Sequence, residues 1–425
     1  MSWMRLSALL AAALGLGPVP ASAGVPVWAA VYDFAGGNGG SFPLGLAVDS
    51  TGVVYGTAGG GTYGQGMVFS LSPPATPGAA WTQTVLWNFG AYGDGTQPTN
   101  VVIGPGGVLY GTACNGGTSD YGTVFSLNPP ASPGGSWTET ALWNFAGGND
   151  GIQPCNGVIL GSGGVLYGTT FQGGSTRLGI AFSLTPPSAP GSPWTETILH
   201  TFTGGDQGAY PSYGGLAMGR HGALYGLAAE GFFTVGCVFE LKPPASPGGA
   251  WTESVIYNFQ DGLDGAYPMG TLLVGDGGVL YGTTSAGGPG DGGTVFSLAP
   301  PASSGGAWSE AILHHFLPEL GVFTDGAGPQ GALWMSKNTG ALFGTARMGG
   351  SSASATNYGY GTVFELKPPS SAGDAWKLST LHDFSGGDGS DPGGLVRGTA
   401  GPLFGTAGTG GTQNAGAVFS LSISE

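Results

Sequence analysis

Apolar residues along this chain fall in short runs, each closed by Gly, Pro or Asn-Gly clusters. One stretch shows the pattern: residues 154–160, 165–170, 179–184 and 194–202 are rich in Val, Leu, Ile, Tyr, Phe, Trp and Thr. Such runs predict strands joined by tight turns. After residue 24 no segment carries an apolar period of 3.6, so helix is expected to be nearly absent. The pattern then repeats. A Leu-Tyr-Gly-Thr motif and its variants place an aromatic at Tyr55, Tyr110, Tyr167, Tyr225, Tyr281, Phe343 and Phe404. A Trp keeps step at Trp28, Trp81, Trp137, Trp194, Trp251, Trp308 and Trp376, and a Phe closes each unit from Phe34 to Phe384.

Seven units of four strands, with a period mostly of 55 to 62 residues, predict an all-β, seven-bladed β-propeller with four antiparallel strands per blade. Burial of both blade faces explains why strands such as 165–168 read as unbroken apolar runs rather than as alternation. The chain begins with a Trp-to-Phe strand and ends with a Val-Phe strand. If the Trp strand is outermost, residues 28–34 lie beside 416–421 and close the ring. Glu139, Glu196, Glu253 and Glu310 each follow a Trp by two and are read as charges guarding outer edge strands.

Composition narrows the class. The chain of 425 residues holds 89 Gly and 31 Pro, yet 41% of it is apolar and only 8% charged, which separates it from disordered Gly/Pro polymers. Acids outnumber bases 24 to 9. No basic stripe exists to displace counterions, so nucleic acid and anionic membrane surfaces are excluded as partners. Residues 1–23 carry one charge, Arg5, then an Ala/Leu run and a small-residue site ending at Ala23, the form of a secretory signal peptide. The expected organisation is a signal peptide over 1–23 and a single propeller over 24–425, exported to the periplasm or the medium, monomeric, without membrane insertion of the mature chain. Of three cysteines, Cys114 and Cys155 fall on one face of adjacent blades, where a bridge is geometrically open, and Cys237 is expected as a buried thiol.

The repeated Leu-Tyr-Gly-Thr-Thr, Gly-Thr-Val-Phe-Ser-Leu and Trp-Thr-Glu-Thr segments resemble the Gloeo-Verruco (GloVer) tandem repeats of secreted bacterial proteins, over essentially all of residues 28–421. That resemblance implies a propeller with a strand order similar to kelch repeats, and export. It implies no activity. Members often end in a sorting or anchoring segment, and no such segment follows here.

Uniform Pro-Pro-Ala-Ser-Pro-Gly-Gly connections mark one face as scaffold, and variable loops mark the other as the candidate binding face. An Asp-Gly-x-x-Pro motif leads into each blade there. Its Asp94, Asp150, Asp264, Asp325 and Asp388 are read as turn residues, with calcium as the alternative because carboxylates and carbonyls are its ligands. The sixth unit has two longer loops, whose Glu319, Asp325, Arg347, Asn357, Tyr358 and Tyr360 suit a sugar or peptide ligand. His200, His314 and His382 stand where other units have Tyr or Trp, and are read as packing substitutes. No nucleophile elbow, zinc-protease helix or phosphate-cradling loop is present, so no catalytic residue is assigned and no cofactor beyond calcium is expected. The expected function is a non-catalytic scaffold binding a protein, peptide or glycan on the variable face. The alternative is a polysaccharide-active hydrolase or lyase in the central funnel, which requires acid–base groups to converge there.

Overall fold

The computed structural model describes residues 26–423, apart from 77, 92, 133, 190, 212–213, 230–234, 247, 304, 320, 355–357, 372 and 400. The segment read as a signal peptide lies outside the described residues. The chain forms seven antiparallel sheets in a ring, each running from an inner strand at the axis to an outer strand at the rim. We number the blades from the first complete one, residues 46–88. Among the described residues helix is confined to three-residue 3-10 turns, and no described helix is long and apolar enough to cross a membrane.

The ring closes as its two end segments predict. Strand Val27–Asp33 pairs antiparallel with Ala417–Ser422, from Val27 opposite Ser422 to Asp33 opposite Ala417, and completes blade seven as its outer strand. Blade six departs from the others. Its inner strand is split into Ala327–Pro329 and Trp334–Met335, both pairing with Leu342–Met348.

Each junction between blades repeats one set of contacts, which explains the sequence columns. The Phe ending an outer strand is buried and packs on the Phe of the next blade's third strand. The pairs are Phe34–Phe69, Phe89–Phe125, Phe145–Phe182, Phe202–Phe239, Phe259–Phe296, Phe316–Phe364 and Phe384–Phe419, with ring centroids 5.0 to 5.5 Å apart. Edge-to-face geometry at this spacing adds to area burial. The Leu-Tyr-Gly-Thr hydroxyl stitches neighbours: Thr169 donates to the Pro211 carbonyl at 3.0 Å and Thr345 to the Gly393 carbonyl at 2.9 Å. The Gly opening each third strand is required by the next blade's proline. A Cβ on Gly122 would stand 2.5 Å from Pro154 Cδ, and its φ of +96° already disfavours a side chain.

Two sequence readings need correction here. Glu139, Glu196, Glu253 and Glu310 are not solvent-facing edge guards. They are half-buried at the junctions, each with Oε1 shielded and unbonded. Burial first, and at three of them a neighbouring carboxylate (Asp94, Asp150 and Asp264), pushes Glu139, Glu253 and Glu310 up to about 7 and Glu196 up to about 8. The histidine column is likewise more than packing at His314 and His382, whereas His200 packs on Phe202 with its Nε2 unbonded. Trp87, Trp143 and Tyr257 donate to Asp94, Asp150 and Asp264. His314 and His382 stand in the same column and contact Asp325 and Asp388 through Nε2 at 3.2 and 2.9 Å. The property shared by Trp, Tyr and His is a ring group able to hydrogen-bond a carboxylate.

Candidate functional site

The inner strands enclose an axial cavity of about 570 Å³. Its polar lining is amide and hydroxyl: Asn100, Asn156, Thr99, Thr271, Thr406 and Gln330 among glycines, with no ionisable side chain among the described residues of the wall. Asn156 is fixed by donating to the Pro211 carbonyl at 2.6 Å and to Thr169 Oγ1 at 3.2 Å.

Around the variable-face mouth stands a crown that comes from one column of the repeat. The residue before the proline of each blade-leading motif has a left-handed backbone: Phe42, Gln97, Gln153, Tyr210, Tyr267, Gly328 and Asp391, with φ between +50° and +62°. For non-glycine residues preceding proline this conformation is strained. What holds it is an N–H bond to the preceding blade, as from Gln97 to Gln65 O at 2.7 Å, Tyr267 to Val235 O at 2.7 Å and Phe42 to Ala415 O at 2.8 Å. The sequence reading weighed the Asp and Gly of this motif and passed over the crown. The available signal is a proline present in every unit behind a residue that varies among Phe, Gln, Tyr, Gly and Asp.

Asp391 is the crown's one carboxylate. Its Oδ1 accepts from Arg347 Nε at 2.9 Å and from Gln330 Nε2 at 3.2 Å, so blade six orients it from two sides. Among the described residues no protein group bonds Oδ2. Asp391 N–H donates to the Tyr360 carbonyl at 3.2 Å, tying it to the long second loop of blade six.

The six residues singled out in blade six therefore divide. Arg347 and Tyr360 reach Asp391. Tyr358 is 80% exposed. Glu319 closes a small turn with Val322. Asp325 points to the outer strand, where His314 meets it. Asn357 lies outside the described residues. The five motif aspartates are spread one to a junction and already take ring N–H, O–H or imidazole contacts, with backbone N–H bonds to Asp94, Asp264 and Asp388. Among the described residues no three His, Cys, Asp or Glu side chains gather as metal ligands would. Cys114 and Cys155 form a disulfide joining blades two and three beside the cavity, while Cys237 is buried elsewhere.

Solved structures with a similar ring include an oxidoreductase of glucose dehydrogenase type from Thermus thermophilus, at 15% identity and TM-score 0.44, covering 93% of this chain and 99% of that one. A gluconolactonase from Xanthomonas campestris matches at 13% identity and TM-score 0.44, covering 93% and 89%. A Trypanosoma rangeli sialidase matches at 11% identity and TM-score 0.40, covering 93% of this chain and 58% of its own. These likenesses show the fold alone. No curated protein matches the chain. The expectation of a non-catalytic scaffold is nonetheless corrected. The mouth brings a carboxylate and a guanidinium together, where a scaffold was expected to show no converging acid–base groups. The sequence itself matches the Gloeobacter/Verrucomicrobia repeat over residues 97–356 and 213–425, and the chain belongs to that family.

Proposed function

We propose that this protein is a polysaccharide-active hydrolase or lyase working at the variable-face mouth of its axial channel. The observation that carries the reading is the held carboxylate of Asp391, with Oδ1 engaged twice and Oδ2 left to accept a proton. A single carboxylate suits a one-base reaction better than two-carboxylate glycoside cleavage. In ester hydrolysis, Asp391 Oδ2 takes a proton from water as the water oxygen attacks the ester carbon, and returns it to the departing sugar oxygen. The terminal nitrogens of Arg347 are the donors for charge developing on the carbonyl oxygen. Amides and hydroxyls along the channel match a hydroxyl-rich substrate.

Action outside the cytoplasm is part of the same proposal. The first 23 residues have the pattern of an export signal. A disulfide between Cys114 and Cys155 belongs to an oxidising compartment. The test is a turnover screen on acylated and unsubstituted polysaccharides with wild type and Asp391→Asn. A base of this kind contributes roughly 100-fold or more, so the variant should lose at least that while melting normally. Absence of turnover on every substrate, or full activity in Asp391→Asn, rejects the proposal.

A further inference from the structure

A second cavity opens beside the mouth, between the loops leading into blades one and two. It measures about 400 Å³, and Leu44 and Thr99 line both it and the axial cavity, so the two are adjacent. Phe42 forms one wall and is 53% exposed, held with its backbone at φ +50°. Gln97, the next crown residue, forms another wall. Its amide is oriented by a relay: Gln153 Nε2 donates to Asn115 Oδ1 at 3.3 Å, and Asn115 Nδ2 donates to Gln97 Oε1 at 2.9 Å. With its oxygen occupied, Gln97 presents Nε2 as donor. Among the described residues no ionisable side chain lines this cavity.

We infer that this cavity is a subsite for one neutral sugar unit of a polysaccharide, stacked on Phe42 and hydrogen-bonded by Gln97. An aromatic wall accepts the apolar face of a pyranose ring, and an oriented amide N–H donates to a sugar hydroxyl oxygen. A charged unit would enter without a counter-charge, and the acidic balance of the chain adds repulsion for uronates. Phe42 N–H is bonded to blade seven, the blade that carries Asp391, so a chain seated on Phe42 passes to the carboxylate one crown position away. This assignment rests on the proposed function, since it names the neutral part of the same substrate.

The experiment is calorimetric titration of the full chain with neutral hexasaccharides: β-linked glucose, xylose and mannose, and α-linked glucose. Wild type should bind at least one of them. Phe42→Ala and Gln97→Ala should each weaken binding by about tenfold, and Phe42→Tyr should preserve it. Melting of each variant separates loss of the site from loss of the fold. No binding by wild type, or undiminished binding by folded Phe42→Ala and Gln97→Ala, overturns the subsite. Binding that depends on Phe42 with no turnover by wild type would reject the catalytic reading and leave the subsite standing.

Discussion

Raising the pH should loosen this ring at four of its junctions. Glu139, Glu253 and Glu310 hold their protons up to about 7, and Glu196 to about 8, from an ordinary value of 4.5. A carboxyl raised in the folded state binds its proton more tightly there than in the unfolded chain. The stabilisation is full below about pH 4.5 and is lost as pH climbs through 7 to 8. Unscreened, rises of that size are worth about 3 to 5 kcal/mol per group, but these side chains are half in solvent, which leaves roughly 1 kcal/mol each. Gln83 occupies the same column in blade one and shows what the neutral form does. Its Oε1 accepts from Tyr32 and its Nε2 donates to the Gly39 carbonyl, across the junction to blade seven. The assay is urea unfolding between about pH 5 and pH 9. Wild type should lose on the order of 4 kcal/mol. A Glu139→Gln, Glu196→Gln, Glu253→Gln, Glu310→Gln variant, carrying the blade-one solution everywhere, should show a much flatter profile. Equal slopes for the two proteins would show that these glutamates do not titrate as argued.

Reducing the Cys114–Cys155 bond, which closes a separation of 41 residues, should cost about 4 kcal/mol by chain entropy, read as a lower urea midpoint in dithiothreitol. Phe89→Ala removes a fully buried ring packed 5.0 Å from Phe125 and should cost roughly 3–5 kcal/mol by the same measurement. Gly122→Ala, set at φ +96° against Pro154, should cost more than 1 kcal/mol, whereas alanine at exposed Gly134 should cost less because nothing lies within contact of its Cβ. Asp388 is held below the usual carboxylate value by Ser385 and His382, which outweigh its burial, so its contribution should fade as pH drops through its folded value. An Asp388→Asn variant compared with wild type in acid melts checks that sign.

The seven-fold recurrence made the ring legible because each Trp, Phe and Leu-Tyr-Gly-Thr copy answers the same junction. The closing pair could be placed because Trp28–Phe34 lacked a preceding inner strand and Ala417–Leu421 lacked a following outer one. What stayed hidden lies across junctions. Asp391 is held as a candidate site only when Arg347 and Gln330 of the preceding blade reach it, and no spacing within a unit encodes that meeting. Glu139 looked like a surface charge because its own strand is at the rim. Its neighbour Asp94, which leads the same blade, is bonded by Trp87 of the preceding one, and that crossing is invisible in a linear pattern. The crown was overlooked for the opposite reason, because a left-handed residue before proline contradicts its local preference and is held only by the preceding blade.

The pairing of Val27 with Ser422 makes the first described strand wait for the last. Until synthesis reaches residue 422, blade seven has an open edge and residues 27–33 have no partner. Six sheets can assemble from nearby segments, but the seam requires ends almost four hundred residues apart to meet, so it is the slow, late step. A circular permutant with those ends joined by a short linker, and new ends cut into an exposed scaffold connection, would turn the seam into an ordinary hairpin. Its refolding should outpace that of the native order while the finished ring stays the same.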